Sequence, residues 1–161
     1  MQYGILQAYQ NKQYDEVVEA YPDFAGTSTF DQLRPGDKLS FFKMYLEACS
    51  NSKGLAQLKK GYNQYSSTVT SYRDNKKKVV ELYTELLYRF NAYNEAAEAY
   101  EEAGITDVGY FLVLLRLNDQ DRLRLINCNS LYTSQDRCLY YKGMAWAARG
   151  DKAVSQQLLK E

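Results

Sequence analysis

The feature that most constrains the fold is a recurring pattern of two helix-like stretches separated by a short polar break. It is clearest at residues 3–22, 85–104 and 140–159. A pair of short amphipathic helices cannot bury its apolar face alone, so each pair must stack on its neighbours. The pattern therefore predicts an all-α fold built from antiparallel helical hairpins.

Ten helical stretches can be placed along the chain and paired into five hairpins. The predicted helices are residues 2–10 and 14–21, 38–50 and 55–65, 71 or 74 to 90 and 93–103, 107–117 and 121–127, and 134–149 and 151–160. Pro22 is expected to end the second helix. The segment 22–37, rich in Thr, Ser, Gly and Pro, is predicted to be an irregular loop, after which Asp37 caps the next helix.

Apolar spacing predicts which faces of these helices are buried. Leu39, Phe42, Leu46 and Cys49 recur at helical intervals and should face the core. A second stripe is expected on the long third-hairpin helix, and its members are Val79, Leu82, Tyr83, Leu86, Leu87 and Phe90. Gly104 should end the following helix in a left-handed conformation.

The residues that open the second helix of each hairpin give the repeat length. These markers are Tyr14, Leu55, Tyr93, Gln120 and Lys152. Because 138 residues separate the first marker from the last, the four intervals average 34.5 residues. This length is close to the unit of about 34 residues found in tetratricopeptide repeats.

The chain resembles the tetratricopeptide-repeat family at particular positions. The fifth unit matches at Gly143, Trp146, Gly150 and Ser155, the third at Leu87, Asn91, Tyr93, Ala96, Tyr100 and Ala103, and the first at Ala8, Lys12, Tyr14, Val17 and Tyr21. The resemblance implies one repeat domain over residues 1–161, on its own or within a larger array. Its fold would be a right-handed superhelix of about five hairpins, an α-solenoid.

The same resemblance implies a binding groove lined by the first helix of each hairpin. The ligand-facing positions carried over are Lys43, Glu47, Lys78, Glu85, Tyr88, Arg137, Tyr140 and Met144. In the fourth unit these positions are apolar, and Ile105, Val108, Leu112 and Leu115 are expected to be buried against a partner or a neighbouring element. The implied function is a non-catalytic scaffold or adaptor that binds a peptide or helix of another protein within a multiprotein assembly.

An RNA-binding function is the alternative. Residues 83–107 also resemble one pentatricopeptide repeat, a unit that reads a single-stranded RNA base with two side chains. Thr84 and Asp107 would be those side chains. However, the 20 basic residues are balanced by 20 acidic residues, so the chain as a whole attracts phosphates weakly, and nucleic acid is not the expected partner.

Composition argues against several other functions. The sequence has no histidine, which removes the commonest general base and metal ligand. Cys49, Cys128 and Cys138 have neither disulfide-framework nor zinc-site spacing. We therefore expect no enzyme activity, no metal and no cofactor, and a reducing, cytoplasmic location. The longest apolar stretch is far shorter than the roughly 20 residues that a membrane helix needs, so no membrane insertion is expected.

The last predicted hairpin has an apolar face with no following helix to cover it. Leu158 and Leu159 lie on its second helix, close to Glu161. Terminal repeats need a polar outer surface. We therefore expect a partner chain, or further repeats of a longer protein, to cover this hairpin.

Overall fold

The computed structural model describes residues 2–126 together with residues 140 and 143. This part of the chain is helical and contains no strand, which confirms the all-α prediction for the described residues. The helices are α1 (Gln2–Gln10), α2 (Tyr14–Ala25), α3 (Ser28–Asp31), α4 (Pro35–Ser52), α5 (Gly54–Tyr65), α6 (Ser67–Thr70), α7 (Arg73–Arg89), α8 (Tyr93–Ala103), α9 (Val108–Leu117) and α10 (Gln120–Leu125). The helices predicted at 134–149 and 151–160 lie outside the described residues, apart from 140 and 143.

The chain divides into two compact units, Met1–Leu86 and Leu87–Glu161. In the first unit, α2 packs against both α1 and α4, α4 packs against α5, and α1 also touches α4. In the second unit, α8 packs against α9, and α9 packs against α10. No helix in the described part of the chain has the length and apolar character that a membrane span needs.

Pro22 does not end α2, so that prediction is wrong. The helix continues to Ala25, with Pro22 in its interior. A proline there removes one backbone hydrogen bond and costs about 3 kcal/mol. Tyr21 and Phe24 flank it and are almost fully buried. Burial of two aromatic side chains stabilises the helix by about 1.5–3 kcal/mol each, which offsets the cost of the proline.

The segment 22–37 is also not the irregular loop that was predicted. It contains the end of α2, the short helix α3 and the start of α4. Thr27 Oγ1 accepts a hydrogen bond from the Phe30 amide and caps α3. Pro35 occupies the first turn of α4, after Arg34 at the N-cap. Asp37 therefore lies inside the helix and is not its cap, although a carboxylate in the first turn still stabilises the helix.

An aromatic core fills the first unit. Tyr21 of α2 stacks on Tyr45 of α4 with ring centroids 4.3 Å apart and an interplanar angle of 12°. Phe30 and Tyr65 meet the Tyr21 ring edge-on. The predicted core face of α4, comprising Leu39, Phe42, Leu46 and Cys49, is buried and so is confirmed.

Two glycines allow tyrosine side chains to pack directly onto the backbone of the next helix. A Cβ atom on Gly61 of α5 would lie 2.8 Å from the ring and hydroxyl of Tyr45. In the second unit, a Cβ on Gly109 of α9 would clash with the hydroxyl of Tyr100 on α8. Helix separation depends on the side chains at the contact. Glycine at these positions therefore permits the close approach of α5 to α4 and of α9 to α8.

Burial on α7 follows the predicted stripe with two exceptions. Val79, Tyr83, Leu86 and Leu87 are buried, as predicted, whereas Leu82 is half-buried and Phe90 is exposed just beyond the helix. Asn75, near the start of α7, is buried, and its side-chain amide donates to the backbone oxygens of Pro35 at 2.9 Å and Val69 at 3.3 Å. The short helix α6 was not predicted.

The same turn occurs in three hairpins. Lys12, Asn91 and Asn118 adopt left-handed conformations, with φ of 60°, 58° and 54°. The amide of each donates to the carbonyl oxygen three residues earlier, and the amide of the following residue donates to the oxygen five residues earlier, as in a Schellman motif. The second helices begin two residues after these positions, at the predicted markers Tyr14, Tyr93 and Gln120. The predicted marker Leu55 lies one residue after the observed start of its helix, because α5 begins at Gly54.

The end of α8 uses glycine for the same purpose. Gly104 has a φ of 67° and donates to the Glu101 oxygen, while the Ile105 amide donates to the Tyr100 oxygen. The prediction of a left-handed glycine here is confirmed. Asp107 and Asp119 then cap α9 and α10 by accepting backbone hydrogen bonds from Tyr110 and Arg122.

Gly61→Ala should destabilise the first unit by about 1–3 kcal/mol, because the added methyl group must displace the Tyr45 ring. Gly4→Ala is the matched control, since Gly4 is an exposed helical residue and a Cβ there meets no atom of the described residues within 4 Å. The control should raise the free energy of unfolding by about 0.5–1 kcal/mol. Urea unfolding monitored by circular dichroism measures both, and equal effects would contradict the packing described for Tyr45.

Lys12→Gly should raise the free energy of unfolding by about 1 kcal/mol, because glycine adopts the left-handed conformation without steric cost. Gln7→Gly, at an exposed position of regular helix in α1, should lower it by about 1 kcal/mol. Thermal unfolding of the two variants should show shifts of opposite sign. A loss of stability in Lys12→Gly would mean that the turn is formed differently.

Candidate partner-binding surfaces

The predicted groove residues of the first unit lie on α4 and α7. Lys43 and Glu47 are half-buried and one turn apart on α4, so they share a face of that helix. Lys78 and Glu85 are exposed and two turns apart on α7. The structure thus places all four at least partly at the surface.

The predicted groove residues of the second unit are described in part. Tyr88 is half-buried near the end of α7, and Tyr140 is 54% exposed. Arg137 and Met144 lie outside the described residues.

In the first unit, a hydrogen bond joins the first helices of two successive hairpins. The Tyr9 hydroxyl on α1 donates to the Glu47 carboxylate on α4. The hydrogen bond to Glu47, assisted by burial, raises the pKa of Tyr9 to about 12. Tyr9, Lys43 and Glu47 together form what we call the α1–α4 surface. It presents a phenol, an ammonium group and a carboxylate on neighbouring helices.

In the second unit, Tyr88 makes a comparable contact with α9. The Arg116 Nε donates to the Tyr88 hydroxyl at 2.7 Å, and the guanidinium lies 5.9 Å from the centroid of the same ring. Tyr93 at the start of α8 meets Tyr88 edge-to-face, with ring centroids 5.1 Å apart. Arg116 belongs to the first helix of the fourth predicted hairpin. Tyr88, like Tyr9, is therefore hydrogen-bonded to a charged residue on the first helix of the next predicted hairpin.

The two tyrosines occupy the same position in their hairpins. Tyr9 and Tyr88 each precede by five residues the tyrosine that opens the second helix, Tyr14 or Tyr93. The ring pairs have similar interplanar angles of 69° and 67°. Sequence analysis identified Tyr88 but missed Tyr9. The shared five-residue spacing was a signal that could have found it.

The apolar positions of the fourth unit are not all buried. Ile105 is buried, as expected, but Leu112 is 43% exposed. Val108 and Leu115 are half-buried. Leu112 thus gives α9 an apolar contact point at the surface.

The two residues proposed to read an RNA base are used within the fold. Thr84 is 2% exposed, and its hydroxyl donates to the Val80 backbone oxygen at 2.7 Å. The Asp107 carboxylate accepts a hydrogen bond from the Tyr110 amide as the cap of α9. Neither side chain is arranged to present its polar group to a base.

The described residues offer few groups with reactive chemistry. Cys49 is fully buried, and burial raises the pKa of its thiol to about 11. A thiol in this state is a poor nucleophile at neutral pH. Within residues 2–126 and at positions 140 and 143, no group of three or more Cys, Asp or Glu residues is placed to hold a metal ion.

Comparison with known proteins finds no protein-family model, no curated protein and no solved structure that matches the chain.

Tyr9→Phe should lower the free energy of unfolding by about 1 kcal/mol, because the Glu47 carboxylate loses a hydrogen bond at a half-buried site. The raised pKa of Tyr9 means that its contribution is complete below pH 10 and is lost as the pH rises towards about 12. As the pH rises from 10 to about 12, the free energy of unfolding of Tyr9→Phe should therefore fall less steeply than that of the unsubstituted chain. Tyr14→Phe, which removes the hydroxyl from the other ring of the pair, is the control for thermal unfolding between neutral and alkaline pH. If the stability of the two variants depended on pH in the same way, the hydrogen bond assigned to Tyr9 and Glu47 would be contradicted.

Proposed function

We propose that this chain is a non-catalytic scaffold or adaptor that binds a peptide segment or helix of a partner protein within a cytoplasmic multiprotein assembly. The partner would lie along the first helices of tetratricopeptide-like hairpins in a right-handed superhelix. The observation that carries the proposal is the hydrogen bond between Tyr9 of α1 and Glu47 of α4. It draws two first helices together at positions expected to line the groove.

Helix packing in the first unit supports a repeat arrangement. The second helix of the first hairpin, α2, packs against the first helix of the next, α4, and α4 packs against its own partner α5. The three equivalent turns at Lys12, Asn91 and Asn118 supply the local repetition. In stacked hairpins, such an order leaves the first helices to line one face.

The chemistry of the α1–α4 surface favours a protein segment as its ligand. Lys43 and Glu47 offer opposite charges one turn apart, which suits the mixed donors and acceptors of a polypeptide. Tyr9 adds an aromatic ring of low conformational entropy, a residue type enriched in protein interfaces. A phosphate backbone would meet both attraction and repulsion here, and the positions proposed to read RNA are engaged inside the fold.

Lys43→Glu should weaken partner binding at least about tenfold, equivalent to about 1.4 kcal/mol. The partner is first isolated with the native protein and identified by mass spectrometry, and its affinity is then measured by titration calorimetry with purified components. Lys60→Glu is the matched control, because Lys60 is exposed on the second helix α5 and the charge change is the same.

Three outcomes of this experiment would be informative. Loss of affinity in Lys43→Glu alone would support the groove. If Lys43→Glu and Lys60→Glu bound the partner with equal affinity, the assignment of the α1–α4 surface would be overturned. Nuclease-sensitive RNA bound at physiological salt, without a protein partner, would favour the pentatricopeptide alternative.

A further inference from the structure

The second unit contains a cavity that the α1–α4 surface does not involve. Its volume is about 380 Å³, and it lies where the end of α8, the turn after it, α9 and α10 meet. Glu101, Tyr110 and Arg122 supply polar groups, while Ile105, Leu125 and Ile126 supply apolar walls. The volume falls near the lower end of the range for ligand pockets. It suits one long side chain better than a large ligand.

The polar groups of the cavity leave one carboxylate oxygen open. Glu101 Oε1 accepts a hydrogen bond from the Tyr110 hydroxyl at 2.7 Å and lies 3.4 Å from Arg122 Nη1. Among the described residues, no hydrogen bond or ion pair reaches the other oxygen, Oε2. Arg122 is shared, since its Nε also contacts Asp119 Oδ2 at 3.1 Å. The Arg122 guanidinium thus faces two carboxylates, those of Glu101 and Asp119. These three side chains together carry a net negative charge.

The surroundings strengthen this negative charge. Helix α8 carries four glutamates and no basic residue. Two of them, Glu98 and Glu102, are exposed one turn apart and have no ion-pair partner among the described residues. Like charges at this spacing destabilise a helix, so a cationic ligand would relieve a repulsion already present.

The apolar groups of the cavity suit a long cationic side chain. Leu125 is 84% exposed and lines the cavity together with buried Ile126 and Ile105. The methylene stem of lysine or arginine packs well on such a surface while its charged end reaches a polar group. Tyr100 and Tyr110 also contribute to the cavity wall, and tyrosine rings attract cations through their faces.

We propose that this cavity binds the cationic end of an arginine or lysine side chain from a basic segment of a partner protein. Glu101 Oε2 accepts the hydrogen bond from the guanidinium or ammonium group. The apolar walls hold the stem of the side chain, and Glu98 and Glu102 attract the basic residues that flank it. Arg122 Nη1 is buried and makes no hydrogen bond to the described residues. An anionic ligand that approached it would nevertheless meet the carboxylates of Glu101 and Asp119, which already face this guanidinium.

The test measures binding of the full chain to fluorescein-labelled Gly-Ser peptides by fluorescence anisotropy at low ionic strength. One peptide carries arginine at intervals, a second carries citrulline in its place, and a third carries glutamate. Citrulline keeps the shape of arginine but lacks its charge. We expect binding of the arginine peptide and at least tenfold weaker binding of the other two. Equal binding of the arginine and citrulline peptides, or no binding of the arginine peptide, would overturn the proposal.

Two variants of opposite expected effect locate the site. Glu101→Gln should weaken binding of the arginine peptide about tenfold, since it removes one charge-assisted hydrogen bond. Arg122→Gln should strengthen binding, because it removes the cation that competes for Glu101. A purely structural role for these residues would instead weaken binding in both variants. Circular dichroism verifies that each variant is folded.

Glu19→Gln is the control for total charge, because Glu19 is exposed on α2 in the first unit. It should leave the affinity within about twofold of the original chain, since an exposed charge outside the cavity is screened by salt. An equal loss in Glu19→Gln and Glu101→Gln would show non-specific attraction and overturn the proposal. The cavity and the α1–α4 surface are tested by different variants and ligands, so either proposal can fail alone.

Discussion

Both units depend on a tyrosine packed against the backbone of a glycine in the next helix along the chain. Tyr45 of α4 lies over Gly61 of α5, and Tyr100 of α8 lies over Gly109 of α9. Tyr45 also stacks on Tyr21, so α2, α4 and α5 meet at one pair of rings. The Tyr21 hydroxyl is buried and has no hydrogen-bond partner among the described residues, which costs about 1–3 kcal/mol. That cost is tolerated because the ring stands at the centre of the aromatic core.

The sequence predicted helix positions well where local signals decide them. The starts at Tyr14 and Tyr93 follow from polar breaks and apolar spacing, and the left-handed Gly104 follows from glycine chemistry. It failed at residues 22–37, because Ser, Thr, Gly and Pro serve equally in loops and in helix caps. The burial of Phe24 and Phe30 decides between the two, and this burial depends on tertiary packing.

The candidate sites could be predicted only in part, for a related reason. The resemblance to tetratricopeptide repeats predicts groove positions at Glu47 and Tyr88, but it does not reveal which residues they contact. Tyr9 is 38 residues from Glu47, and Arg116 is 28 residues from Tyr88. The cavity was missed because total charge conceals the four glutamates of α8. Glu101 and Arg122 meet only through the packing of α8, α9 and α10.

A tyrosine hydroxyl has opposite roles in the Tyr9–Glu47 and Tyr88–Arg116 contacts. The Tyr9 hydroxyl donates to a carboxylate, whereas the Tyr88 hydroxyl accepts from a guanidinium. A phenol can do either, because it carries both a donor and an acceptor. The neighbour of such a tyrosine can therefore change sign by substitution while the link between helices persists. Helices linked in this way can change the charge on their surface without rebuilding their framework.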